Sequence, residues 1–310
     1  MTLASAPLLT NGASHSAQSF RMMIRDLARG GQGITQGGDL RVTPLTVPAG
    51  GVQVGDGSAI IEGQAAYGQG HYTVYNIGAE TVPIAPTGAN PRRDLVVLRI
   101  QDPQYEGSRD PAKDPIAFFD VIPVVGAVVR PAPPEGYTAI ALAVVTMPAN
   151  TGTVTSAMIK DLRQLANPRR ERRLAVNRGY PYEQLPTPKE TWFDFPKNPV
   201  ALVDIPTWAV QVNLVTTLNV RISNTGAYGL WRQRVGSQVG NTIVMDADAM
   251  TSDSRENIII ADALDIDASL RGTTQGLGLQ FYRLRSEPWG MDINASTNIV
   301  VDVEFVEGVF

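Results

Sequence analysis

VDVEF, residues 301–305, alternates Val301, Val303 and Phe305 with Asp302 and Glu304. A period of two marks an extended strand with one apolar and one wet face, because successive side chains of a strand point to opposite sides. Trp208, Val210, Val212 and Leu214 repeat the pattern, as do Leu277, Leu279 and Phe281. About eight such segments in roughly 120 residues predict an antiparallel, jelly-roll-like β-sandwich whose apolar faces pack on one another. That domain is expected over 191–310.

Composition agrees with a mostly β chain. Gly (29) and Pro (22) are abundant beside many Val, Ile and Thr, which suits short strands joined by tight turns. At 310 residues the chain is long enough for two domains. It has no cysteine, so neither a disulfide nor a thiolate metal site can stabilise it. A net charge of -4 argues against wrapping nucleic acid, which demands a surface dominated by Lys and Arg. No run of about 18 apolar residues occurs, and the first residues lack the charged start and apolar stretch of a secretory signal. Neither membrane insertion nor export by an encoded signal is expected.

Upstream, Ser14 to Ala28 reads as a helix, with Phe20, Met23, Ile24 and Leu27 at i, i+3, i+4 and i+7 forming its inward face. Ser14 or Ser16 can cap it and Gly30 can end it. Short β segments follow near 40–47, 58–64, 71–77 and 81–85, consistent with a meander. DLVVLRIQ (94–101) and YTAIALAVVTM (137–147) are apolar enough to be central or doubly covered strands, with a third at 117–125. The Pro-, Asp- and Gly-rich stretch 101–115 reads as an exposed excursion, and 155–165 as a short turn of helix. Together, 1–165 make a β-rich first domain. Clustered charge and prolines then predict a linker over 166–190.

Candidate chemistry is sparse. His15 and His71 are the only histidines, in no metal or triad spacing. GGQGITQGG (30–38) follows a helix rather than opening one, so its N–H groups are not set to cradle phosphate. Asp246, Asp248, Asp253 and Glu256 could gather around a hard cation, but Met250 and Thr251 occupy the ligand and glycine positions of an EF-hand frame. A solvated acidic loop is the plainer reading. No catalytic residue, cofactor or metal site is therefore predicted.

Two groups point to binding instead. Arg169, Arg170, Arg172 and Arg173 lie in the expected linker with no aromatic residue among them to stack on bases, so nucleic acid is disfavoured. They are expected to dock the linker on an acidic face of a neighbouring subunit, or simply to be solvated. Tyr228, Trp231 and Trp289 lie near Gly-rich turns and could offer a platform for the apolar face of a sugar. Core packing is the competing reading of these rings.

Several stretches have a familiar order: the helix followed by GGQGITQGGDLRVTP, then GSAIIEGQAAYGQGHYTVYN, RRDLVVLRIQD, and YTAIALAVVTMP with TSAMIKDLRQ. Over residues 10–165 the chain resembles the N-terminal module of minor tail or baseplate proteins of long-tailed (siphovirus) bacteriophages that infect actinobacteria. The resemblance implies a structural virion protein at the tail tip or baseplate, made in the host cytoplasm. Its first domain would attach to other tail proteins and its second would reach outward. It further implies a homotrimer that can touch a host cell-surface glycan, and it supplies no catalytic residues. Residues 191–310 carry no motif of that family.

Overall fold

A computed structural model describes residues 8, 10–186, 190–284 and 290–310. The chain forms two compact units: Met1–Pro168 with Val309–Phe310, and Arg169–Gly308. It is mostly β, with one α-helix near its N-terminus and antiparallel sheets throughout the described residues.

In the first unit, helix α1 (Ala17–Leu27) is capped by Ser16, whose side chain accepts from the Ser19 N–H, and it ends before Gly30 at a φ of 73°. Ten strands follow: β1 (Gly33–Ile34), β2 (Val42–Pro44), β3 (Gly51–Val54), β4 (Gly57–Glu62), β5 (His71–Asn76), β6 (Glu80–Pro83), β7 (Arg92–Ile100), β8 (Ala117–Pro123), β9 (Ala139–Met147) and β10 (Ile159–Asp161). They pair as β1–β4–β5, β2–β3–β6 and β10–β9–β7–β8 rather than as one meander. The two apolar runs of the sequence, β7 and β9, are neighbours at the middle of the largest sheet and are buried along nearly all their length. The region expected to be a turn of helix holds a 3-10 turn at Ser156–Met158 and then β10, because the edge of β9 offers Ala143–Val145 for pairing.

The glycine run 30–38 serves packing. A Cβ on Gly31 or Gly33 would collide with the carbonyls of Ala166 and Gln164, so only glycine lets these backbones approach and Ile34 bridge Leu165.

The second unit contains β11 (Arg170–Arg178), β12 (Glu183–Gln184), β13 (Trp192–Asp194), β14 (Ala201–Asp204), β15 (Ala209–Ile222), β16 (Ala227–Val235), β17 (Gln238–Val239), β18 (Ile243–Ala247), β19 (Ser254–Asp265), β20 (Thr274–Arg283), β21 (Met291–Ile293) and β22 (Asn298–Glu307). One sheet runs β11–β22–β15–β19, with β12 and β21 prolonging its first two rows. The other runs β14–β20–β16–β18, with β13 and β17 continuing its outer rows. The first row of the chain thus pairs with the last and the second with the next to last, the double Greek key of a jelly roll.

The apolar parity of each strand closes the sandwich. Val301, Val303 and Phe305 of β22, Leu277, Leu279 and Phe281 of β20, and Val212, Leu214, Leu218 and Val220 of β15 form one buried core. Gln233 of β16 reaches across it, accepting from Thr216 Oγ1 at 2.6 Å and donating to the Ile260 carbonyl at 3.1 Å. A buried amide satisfied by the opposite sheet favours a single register. At the start of β15 a bulge between Ala209 and Gln211 shifts the alternation. Ala209 is buried there, while Trp208 and Val210 are only half-buried, contrary to the simple pattern of the sequence.

The expected linker is largely sandwich. Residues 170–178 form an edge strand paired with β22 along its whole length, from Arg170 opposite Val306 to Arg178 opposite Asn298. The strand does alternate, with Glu171, Arg173, Ala175 and Asn177 on the less exposed parity, but the charge of that parity masks the pattern.

Candidate interaction surfaces

Helix α1 leaves the two ends of its apolar stripe exposed, while Met23 and Ile24 between them are half-buried. Leu27 is 72% exposed and Phe20 44%, whereas Arg21 is buried. The helix rests on a polar cluster instead: Arg21 donates to the Gln69 carbonyl at 2.7 Å, to Gln104 Oε1 at 3.1 Å and to the Tyr105 hydroxyl at 3.2 Å, and lies 3.6 Å from Asp102. Gln18 donates to the Gly68 carbonyl beside it. Burial pushes the Tyr72 phenol upward, so it stays protonated and donates to Asp102 at 2.8 Å. Asp102 and Glu106, which pairs with Arg99, tie the expected excursion 101–115 back onto the sheet.

The four arginines expected to reach a neighbour are engaged within the chain. Arg169 grips Glu307 with Nε at 3.0 Å and Nη2 at 2.5 Å, and its N–H adds a bond at 2.9 Å. Arg170 pairs with Glu304, Arg172 with Asp302 and Arg173 with Glu171. The reason is register: pairing of β11 with β22 sets basic side chains beside carboxylates on the same face. Burial alone would raise Glu307, but the Arg169 bonds overcome it and hold the carboxyl below its usual range. The bond from Arg172 lowers Asp302, and those from Asn213 and Arg170 lower Glu304. Depressed carboxylates stabilise the fold fully above their unfolded pKa of about 4, and that contribution is lost as pH falls through their lower folded values. As pH falls below about 4, the protection of the 170–178 amides, corrected for the intrinsic pH dependence of exchange, should therefore drop before that of β15. Simultaneous loss along both strands would contradict this.

On the outer face of the same sheet an apolar belt crosses all four rows. Leu174 aligns with Asp302, Val215 and Ala261, and Val176 with Val300, Thr217 and Ile259. Leu174 is 65% exposed and Ile259 63%, with Val176 and Val215 also exposed. Contiguous exposed apolar patches of this kind mark functional surfaces on soluble proteins.

The outer face of the other sheet is aromatic and polar. Trp192, Tyr282, Leu230 and Val244 align across it, and Asp194, Gln280 and Arg232 form the next row. Arg232 stacks on Trp192 at 3.9 Å, and the Trp192 and Tyr282 ring centres are 5.2 Å apart. Arg232 donates to Gln280 at 2.8 Å, Gln280 to Asp194 at 3.0 Å, and Arg234 to Asp194 at 2.9 Å. Burial draws the Arg232 guanidinium down from its ordinary pKa.

Of the rings singled out for sugar contact, Tyr228 is half-buried on this outward parity, opposite Asp246. Trp231 faces the opposite way and is wholly buried, its ring 4.9 Å from Phe281 and its indole N–H on Met245 Sδ at 3.2 Å, so it cannot touch a ligand. Trp289 lies outside the described residues. Trp192 and Tyr282 are rings of the outward parity that closeness to glycine does not single out.

The acidic residues 246–256 do not converge. Asp253 binds Arg221 and the Asn224 N–H, and Glu256 accepts from Ser254. Among the described residues no three His, Asp or Glu side chains gather as metal ligands. His71 opens β5, an edge strand of its sheet, and is fully buried, with no hydrogen-bond partner at either ring nitrogen. No described helix is long and apolar enough to cross a membrane.

No protein family model and no curated protein sequence matches the chain. Among solved structures it is similar to that of the Gt strain of infectious bursal disease virus, at 10% identity and a TM-score of 0.27, over 90% of this chain and 76% of that one. It is similar to the VP2 subviral particle of infectious bursal disease virus at 12% identity and a TM-score of 0.25, over 90% and 72% of the two chains. The jelly-roll assignment rests on the strand order of this chain rather than on these likenesses.

Proposed function

We propose that this chain is a non-catalytic structural protein of a bacteriophage virion, positioned at the tail tip or baseplate and acting as a homotrimer. Its first unit attaches to other tail proteins, and its second is the outward module. The observation that carries this reading is that each unit leaves apolar residues of a regular element exposed: Phe20 and Leu27 of α1 and the belt through Leu174 and Ile259. Surfaces built with regular spacing and left bare belong to chains that are completed by other chains. The resemblance to tail proteins supports the viral setting, since every stretch that carries it falls within 1–168. Mass spectrometry of gradient-purified virions is expected to find the protein in stoichiometric amount; its confinement to the unassembled fraction of the lysate would refute the reading.

A second reading, recognition of a host cell-surface glycan, is favoured by the Trp192–Tyr282–Arg232 face. Aromatic rings flanked by amide, carboxylate and guanidinium groups suit a sugar, which presents an apolar ring face and a rim of hydroxyls. If this face binds host wall material, Trp192→Ala should weaken binding about tenfold, or about 1.4 kcal/mol, with the melting temperature nearly unchanged. Equal binding by the variant would remove this reading and leave the structural one intact.

A further inference from the structure

The largest sheet of the first unit has a gap in one of its rows. The Ile100 N–H bonds the Thr138 carbonyl at 2.9 Å, and the alternation of an antiparallel ladder then turns the main-chain groups of Ile140 toward β7 as well. Ala139 and Ala141 aim their N–H and C=O groups to the opposite side. There β10 covers β9 only from Ala143 to Val145, and the Leu162 N–H adds one last bond to the Leu142 carbonyl at 3.0 Å. The chain then peels away to β1, where the Gln164 carbonyl accepts from the Ile34 N–H at 2.8 Å. Among the described residues no donor or acceptor meets the outward groups of Ala139 and Ala141.

A cavity of about 390 Å³ lies at this fork, walled by residues 139–141, by Gln32 and Gln164, and by the loop 130–133. Main-chain groups presented at strand spacing are matched by another extended backbone, the pairing by which a peptide adds to a sheet edge. Three residues of such a backbone span about 10 Å and continue the row that β10 begins. Arg130 stands at the rim with Nη2 3.5 Å from the Leu162 carbonyl, and no Asp or Glu lines the cavity around it. A carboxylate on the incoming segment supplies the missing charge. On the same loop Val125, Val128 and Val129 are 89%, 49% and 78% exposed, an apolar rim beside the opening. An open strand edge next to bare valines is a liability that natural sheets cover or blunt.

The charge at the rim points to a protein other than this one. Residues 1–25 contain no Asp or Glu. Phe310 is already bonded, its N–H to the Gly37 carbonyl and its carbonyl to Arg163. Neither end offers a free acidic strand to a second copy. We propose that the open edge of β9 at residues 139–141 is where the first unit takes up an extended, acidic segment of another virion protein as an added strand. The proposal rests on the reading of the first unit as the attaching one and gives that attachment its chemistry.

Hydrogen exchange of the full chain, alone and with a blocked Val-Thr-Val-Glu-Val-Thr peptide or its Glu-to-Lys counterpart, tests it. In the free chain the amides of Ala139 and Ala141 should exchange at least about a hundredfold faster than that of Ile140, which β7 holds. The glutamate peptide at about 1 mM should slow both at least about tenfold, and the lysine peptide should do so more weakly. Arg130 is exposed, so Arg130→Glu should leave the fold intact and reverse that preference. Ala141→Pro removes an N–H that β7 does not use, so it should melt near the wild type and lose the peptide-induced protection of Ala139. Slow exchange of both alanines in the free chain, no protection by either peptide, or a preference unchanged by Arg130→Glu would each overturn the proposal. In purified virions, benzoylphenylalanine in place of Ala132 should cross-link to one other virion protein, and a cross-link to a second copy would overturn the choice of partner. A chain that binds the peptide yet is absent from virions would refute the virion reading and leave the strand-accepting edge standing.

Discussion

Trp231→Ala is expected to lower the stability of the second unit by about 3–5 kcal/mol, the range for truncating a fully buried large aromatic side chain. The indole sits at the centre of the sandwich between Phe281 and Phe195, with ring centres at 4.9 and 6.2 Å. Its N–H is occupied by Met245. Removing it leaves a cavity that two hydrogen-bonded sheets cannot collapse to fill. The melting transition of this unit should fall by about 10 °C or more. A change below about 1 kcal/mol would mean that Trp231 lies at the surface, with the inward and outward faces of β16 exchanged. The result separates core from ligand contact, because a sugar-binding tryptophan would lose affinity at nearly constant stability.

Arg21→Met should have the second largest effect, and a local one. Methionine keeps most of the length and apolar stem of the arginine but none of its donors. The buried Gln69 carbonyl loses its 2.7 Å bond and Asp102 its cation. Losing hydrogen bonds from a charged, buried group costs about 2–4 kcal/mol. The loss falls on the docking of α1, because Arg21 is the buried residue of the helix. Limited proteolysis should cut within 17–27 while 92–147 stays protected. Arg25→Met is the control: Arg25 stacks on the exposed Tyr67 ring at 4.4 Å, and its removal should be worth under about 0.5 kcal/mol. Equal behaviour of the two variants would show that Arg21 does not anchor the helix.

These two residues also show how far local sequence pattern reaches. Strand alternation locates β20 and β22 because Leu277, Leu279 and Phe281, and Val301, Val303 and Phe305, alternate with residues such as Gln280, Asp302 and Glu304. The same rule applied to GLWRQRV, residues 229–235, places Trp231 opposite Arg232 and Arg234, hence inward; proximity to glycine is the weaker guide. It also places Gln280 and Tyr282 outward, opposite Phe281, so the aromatic face of that sheet is legible in the pattern. β11 looks like a linker because its pairing depends on Glu304, Asp302 and Glu307, more than 120 residues away, and no local pattern announces such partners. For α1 the pattern finds the element and its N-cap. It misassigns the inward face, because a helix spacing says which residues share a face and not whether protein or solvent lies on it. The belt is likewise invisible in sequence: Leu174, Val215 and Ile259 become neighbours only through three strand registers.

A consistent picture of surface use follows from these placements. Charges that look free in the sequence, those of Arg169 to Arg173, are spent on fastening an edge strand. Apolar residues that look internal, Phe20 and Leu27, or unremarked, Leu174 and Ile259, are among those left bare. On those faces the chemistry directed at other chains is apolar and geometric, as befits a component held in place by permanent neighbours.

The most direct test of the virion assignment is gold labelling of this protein on intact virions, viewed by electron microscopy. Label confined to the distal end of the tail, on nearly every particle, is the expected result. Intact particles that carry no label, while antibody still binds the free protein from the same lysate, would contradict it.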